Sequence, residues 1–133
     1  MPEALLVFLA AALGGMARFG VGEASARWFG ERFPWGTLLV NLSGALAIGF
    51  VVGVVPVGAG MQGWMQGPAW QFAGLGFLGS YTTVSSFSLQ TLALAHDRKW
   101  RPVAVNIIAS TGGCLAAAAA GLVAGAWVSG ALG

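Results

Sequence analysis

The sequence predicts an all-α membrane protein of four spanning helices, and three observations carry that expectation. Hydrophobic residues make up 57% of the 133-residue chain and charged ones 8%, against about 25% charged in an average soluble domain. Every charge lies at Glu3, between Arg18 and Arg32, or between Asp97 and Arg101, so residues 33–96 and 102–133 carry none. Trp28, Trp35, Trp64, Trp70, Trp100 and Trp127 fall at or near the ends of the apolar runs, where an amphipathic ring prefers the headgroup layer. With about 20 apolar residues needed per span, residues 1–133 form a single transmembrane domain. Its spans are expected near 4–22, 37–56, 69–95 and 103–128.

The first span is apolar except for Arg18. Ala24-Ser25-Ala26 has the form of a signal-peptide cleavage site, but the basic start of such a peptide is missing and Arg18 interrupts the approach to it, so the run is read as a retained helix. Before the second span, Phe33-Pro34-Trp35-Gly36-Thr37 combines a helix-stopping proline with a good helix start. A Gly/Gln/Pro-rich connection over 56–68 follows it, and a short charged loop over 97–102 precedes the fourth span. Gly49-x-x-x-Gly53 and Gly121-x-x-x-Gly125 are small-residue patterns that let membrane helices approach closely.

The third span is the anomalous one. As an unbroken helix, residues 69–95 would extend about 40 Å at about 1.5 Å per residue, beyond a hydrocarbon core of about 30 Å. It also contains Gly76-Phe77-Leu78-Gly79-Ser80-Tyr81-Thr82-Thr83-Val84-Ser85-Ser86-Phe87-Ser88, glycine-broken and hydroxyl-rich. Lipid offers no partner to freed backbone groups, so irregular backbone at that depth survives only where protein or a water-filled cavity covers it. A break near 79–83 would place helix ends near the midplane, where transport proteins hold ions. The competing reading is that Gly76 and Gly79 serve close packing while the hydroxyls satisfy their own helix carbonyls. The residues alone leave both open.

The run Gly76-Phe77-Leu78-Gly79-x-x-Thr82-Thr83-x-Ser85-x-Phe87-Ser88 resembles the third-helix signature of the Fluc/CrcB fluoride channels. Gly14-Gly15-x-x-Arg18 and Gly36-Thr37-Leu38-Leu39-Val40-Asn41 with Gly44 match in order, as does a small, polar-studded fourth span. The resemblance implies an antiparallel dimer of four-helix subunits in the cell (inner or plasma) membrane, with two fluoride pores at the interface. It further implies a structural sodium ion at the dimer centre, held by backbone carbonyls that map to Gly79 and Thr82. Neutral donors suit a small, strongly hydrated anion that must be desolvated without being trapped. Asn41 offers an amide, Thr83, Ser85 and Ser110 offer hydroxyls, and Phe87 offers the positive edge of its ring. Asn106, Ser110 and Cys114 share one face of the fourth helix at i, i+4 and i+8, where the family has a polar track. Arg18 is either a snorkelling residue or part of an anion-attracting vestibule.

Two departures from the family pattern are visible. Val84 stands where the family usually has a second Phe, so one aromatic position is lost. Arg18, Arg27, Arg32, Arg98, Lys99 and Arg101 are the six cationic residues, and all lie on or nearest one side of the membrane. By the positive-inside rule the chain should insert one way, with both termini outside the cytoplasm. That favours a homologous partner of opposite topology over a second copy. A small multidrug-type exporter is also a four-helix dimer, but proton-coupled cation export needs an intramembrane carboxylate. Glu3, Glu23, Glu31 and Asp97 all flank the predicted spans. A non-conducting partner subunit is the remaining alternative. The net charge of +2 is too small for a nucleic-acid footprint, and no enzyme chemistry is indicated.

Overall fold

A computed structural model of the chain describes residues 2–55 and 60–132. Among the described residues all regular structure is helical: α1 (Pro2–Phe29), α2 (Trp35–Gly53), α3 (Met61–Met65), α4 (Pro68–Trp70), a π-helical segment (Gln71–Leu78), α5 (Gly79–Tyr81), α6 (Val84–His96) and α7 (Trp100–Leu132). Three stretches are long and apolar enough to cross a membrane: Glu3–Phe29, Trp35–Gly53 and Trp100–Gly130. The expected first span ends at residue 22, whereas α1 continues to Phe29. Glu23 and Arg27 mark departure from hydrocarbon but do not oppose helix. What stops α1 is Gly30, at φ +76, a left-handed position natural to glycine after a helix. Pro56, the expected end of the second span, lies outside the described residues.

The bundle is held together by absent side chains. α2 makes its most extensive contacts with α7, and the two small-residue patterns face each other across that seam. A Cβ added at Gly49 would press on the Ala118 backbone, and one added at Gly53 on that of Leu122. In return, a Cβ at Gly121 would strike the Leu46 carbonyl and lie 2.8 Å from the Phe50 amide nitrogen, and one at Gly125 would lie 2.9 Å from the Gly53 backbone. Lipid provides no hydrophobic drive for helix association, so this backbone-to-backbone approach supplies van der Waals contact instead. α1 packs in the same manner on the π-helical segment, where Gly14 leaves room for the Phe77 carbonyl and Ser80, and Gly76 for Ala10. Ser80 Oγ then donates to the Ala11 carbonyl at 2.7 Å.

The third predicted span is two helical pieces. The first half, α4 through α5, includes the eight-residue π-helical stretch, a form that commonly accompanies functional sites. It ends at Thr82 (φ −77, ψ 158), and Thr83 (φ −153, ψ 125) is also extended. Consecutive β-branched residues at 82–84 lose rotamer freedom in a helix, and Thr83 serves better as the N-cap of α6, accepting from the Ser86 amide. α6 closes in a Schellman arrangement: Lys99 N–H donates to the Leu94 carbonyl, Arg98 N–H to that of Ala95. Arg98 occupies the left-handed position at φ 56, where a non-glycine residue costs about 1–2 kcal/mol. α7 starts at Trp100, earlier than expected, with Pro102 tolerated in its first turn.

Candidate functional site

The break is built by α2. Asn41 Nδ2 donates to the Thr83 carbonyl at 2.8 Å, and the Thr83 N–H donates to Asn41 Oδ1 at 2.8 Å, so one side-chain amide satisfies both backbone groups of the extended residue. One turn along, Gly44 makes room for the Thr82 methyl and the Tyr81 ring. Ser43 Oγ lies 2.9 Å from the Tyr81 hydroxyl, and the Tyr81 ring stacks on Phe77. Asn41 and Gly44 thus describe a seat for the break.

Diverting these donors leaves acceptors behind. In an unbroken helix the Thr83 amide would serve the Gly79 carbonyl and the Ser86 amide that of Thr82. Here Thr83 N–H goes to Asn41 and Ser86 N–H to Thr83 Oγ1. The two carbonyls are therefore deprived of their helical partners, and both residues line a cavity of about 540 Å³ beside the break. Carbonyl oxygens without a nearby carboxylate form a hard, neutral donor set that fits a hard monovalent cation.

Asn41, Thr83, Phe87 and Ser110 also line this cavity, together with Val84, Ile48, Thr111 and Cys114. Ser110 is 8% exposed and its Oγ has no protein partner, so an unused hydroxyl is buried at the cavity wall. Sequence spacing does not single out Thr111, because it lies off the i, i+4 face of Asn106 and Ser110. It lies three residues before Cys114, and that helical adjacency brings it to the same wall.

Ser85 and Asn106 lie outside that lining. Ser85 Oγ sits 3.2 Å from Thr83 Oγ1, close to the break but exposed. Asn106 is 2% exposed, and its Nδ2 donates to Thr91 Oγ1 at 2.9 Å. Arg18 lines a second cavity, of about 290 Å³, with Gly15, Thr37 and Ser86. Thr83 lines both cavities and so stands between them. Ser86 is a further residue that sequence pattern does not reveal. It accepts from Thr83 Oγ1 at 3.3 Å, a role set by the cap geometry.

Three long apolar helices and a helix interrupted beside a cavity whose largely apolar wall carries an amide and several hydroxyls define a multi-pass membrane protein. The family model described as CrcB-like protein, Camphor Resistance (CrcB), matches residues 5–122, and the chain belongs to this family. It is 51% identical over 90% of both chains to "Fluoride-specific ion channel FluC 2" of Rhodopseudomonas palustris (strain BisB18). It is 44% identical to the protein of that description from Bradyrhizobium diazoefficiens, over 90% of this chain and 85% of the relative. "Fluoride-specific ion channel FluC 4" of Brucella abortus biovar 1 is 41% identical over 93% of this chain and 92% of its own.

Proposed function

We propose that the chain is one subunit of a passive, fluoride-selective channel that lets fluoride leave the cell down its own gradient. The observation that carries this reading is the uncharged cavity at the break, a largely apolar wall with an amide and a few hydroxyl donors set into it. An anion entering it meets the second Asn41 amide hydrogen, the free Ser110 hydroxyl and the Phe87 ring edge. None of these carries a full charge, so dehydration is compensated at several moderate sites and the ion is not trapped. Arg18 faces the neighbouring cavity, where a cation raises local anion concentration without sitting in the narrow path. Thr83 joins the two, and Ser85 lies beside it as a further hydroxyl.

The cavity is open along Val84, which is 76% exposed. A second chain in antiparallel orientation would close it, giving two pores at the interface, with the broken segment of each chain as its fourth crossing. The partner then supplies the aromatic edge that Val84 lacks. Gly79 and Thr82 would hold a structural sodium ion at the dimer centre through their carbonyls. When bound, it supplies positive charge to acceptors that lipid cannot satisfy.

Charge bias supports a partner of opposite topology. Glu31, Arg32, Asp97 and Lys99 line one small cavity, so the first and third loops meet on the same side and gather the basic residues there. A C-terminal tag should therefore be accessible only from outside the cytoplasm, as read by protease or thiol labelling of intact cells. Tags split evenly between the two faces would restore the homodimer.

Function is tested in liposomes containing the chain, with its homologous partner where one is needed. Fluoride efflux driven by its own gradient alone, with chloride excluded, is the expected result. A requirement for a proton gradient would make the protein an exchanger, and absence of flux in every pairing would end the channel reading.

A further inference from the structure

Phe87 is gripped from both sides along its own helix. Phe87 and Thr91 stand at i and i+4 on one face of α6, and Thr83, the N-cap of that helix, precedes Phe87 by four residues. At Thr83 the grip is the pair of hydrogen bonds to Asn41 on α2. At Thr91 it comes from α7: Asn106 Nδ2 donates to Thr91 Oγ1 at 2.9 Å, and Thr91 Oγ1 donates in turn to the Phe87 carbonyl at 2.6 Å. Among the described residues this is the only side-chain hydrogen bond that joins α6 to α7. Asn106 is 2% exposed and absent from the cavity wall, and its hydrogen bond toward the cavity runs through Thr91 to the Phe87 backbone.

We propose that Thr91 and Asn106 are a positioning pair that sets the rotation of α6 and thereby aims the Phe87 ring into the cavity. One anchor at the start of a helix fixes its position but leaves it free to turn about its axis. A second anchor two turns further on removes that freedom. Apolar packing cannot replace it, because lipid tails are as favourable to the Leu89 and Leu92 side chains as a protein neighbour is. The Thr91 hydroxyl suits the task since it accepts from α7 and donates within α6 at once. Val at this position would keep the shape and lose both bonds.

The proposal rests on the fluoride-channel reading, and its test separates the two. Thr91→Val and Thr91→Ser are compared with the parent for fluoride efflux and for selectivity over chloride. In parallel, 4-fluorophenylalanine placed at position 87 gives a 19F resonance that reports ring surroundings whether or not the protein conducts. Thr91→Val should lower selectivity about tenfold, the change that a lost hydrogen bond of about 1.4 kcal/mol converts to, and should shift or broaden the resonance. Thr91→Ser should restore both. Because Thr91→Val orphans the Asn106 amide, the double variant Thr91→Val/Asn106→Leu removes that burden. It should recover the parental elution volume but not the resonance or the selectivity. A parent without flux overturns the channel reading, and the resonance then still decides the pair. A Thr91→Val protein with parental resonance, or one with parental selectivity where the parent conducts, overturns the positioning role.

Discussion

Asn41→Asp should assemble and yet pass fluoride on the order of a thousandfold more slowly than the parent. Two effects add. The carboxylate still accepts from the Thr83 N–H, but it cannot donate to the Thr83 carbonyl as Asn41 Nδ2 does at 2.8 Å, and a buried acceptor left without its donor costs about 1–3 kcal/mol. Charge has the greater effect. A carboxylate about 4 Å from an anion repels it by about 4 kcal/mol at an effective dielectric of about 20. Asn41→Ala removes the seat without adding charge, so its loss should be smaller, about tenfold. Equal losses in the two variants would make Asn41 a structural residue only. An assembled Asn41→Asp protein that conducts like the parent would place the pore elsewhere.

Gly121→Val should prevent the protein from folding as a monodisperse species at all. Its Cβ would overlap the Leu46 carbonyl and crowd the Phe50 amide nitrogen, and neither can move without parting α2 from α7. Overpacking a core typically costs about 1–3 kcal/mol where side chains can yield. Here the obstacle is backbone, so the cost exceeds that range. Gly112→Ala, on the same helix where a Cβ meets nothing within 4 Å, is the matched control and should elute and melt like the parent. Gly121→Val with an unchanged elution volume and melting temperature in detergent would show that the seam is loose.

The contrast between those two glycines indicates what the sequence reveals and what it withholds. The break is only half legible: glycines and hydroxyls in an uncharged run suit a helix end or close helix packing alike, and it is the resemblance to the family's third-helix signature that favours the end. Gly49, Gly53, Gly121 and Gly125 are legible as contact residues from their spacing, but their partners are not, since spacing names a face and not what it meets. The π-helical stretch of Gln71–Leu78 leaves no signal beyond its glycines, because nothing in the composition separates it from an α-helix. The family resemblance assigns Asn41 and Asn106 to the same pore. The fold gives them different neighbours, one at the cavity wall and one behind it, and that difference depends on crossing angles which no single helix encodes. Ser86, Thr91 and Thr111, beside the site but silent in the sequence, carry common side chains in ordinary positions. Their roles come from three-dimensional adjacency.

The Asn41 seat also has a consequence for the order of events during synthesis. Thr83 follows Asn41 by 42 residues, which at about 5–20 residues per second means that α2 exists for roughly 2–8 seconds before its partner is made. With the interrupted segment as the fourth crossing proposed above, the amide and carbonyl at its weak point would meet hydrocarbon if nothing were waiting for them. α2 is the earlier helix, already made, and it carries the one side chain that answers both groups. Moving the asparagine to a later helix, as in a circularly permuted chain, would keep every contact of the finished bundle and remove that head start. The cost would appear in the yield of inserted protein, not in its stability once formed.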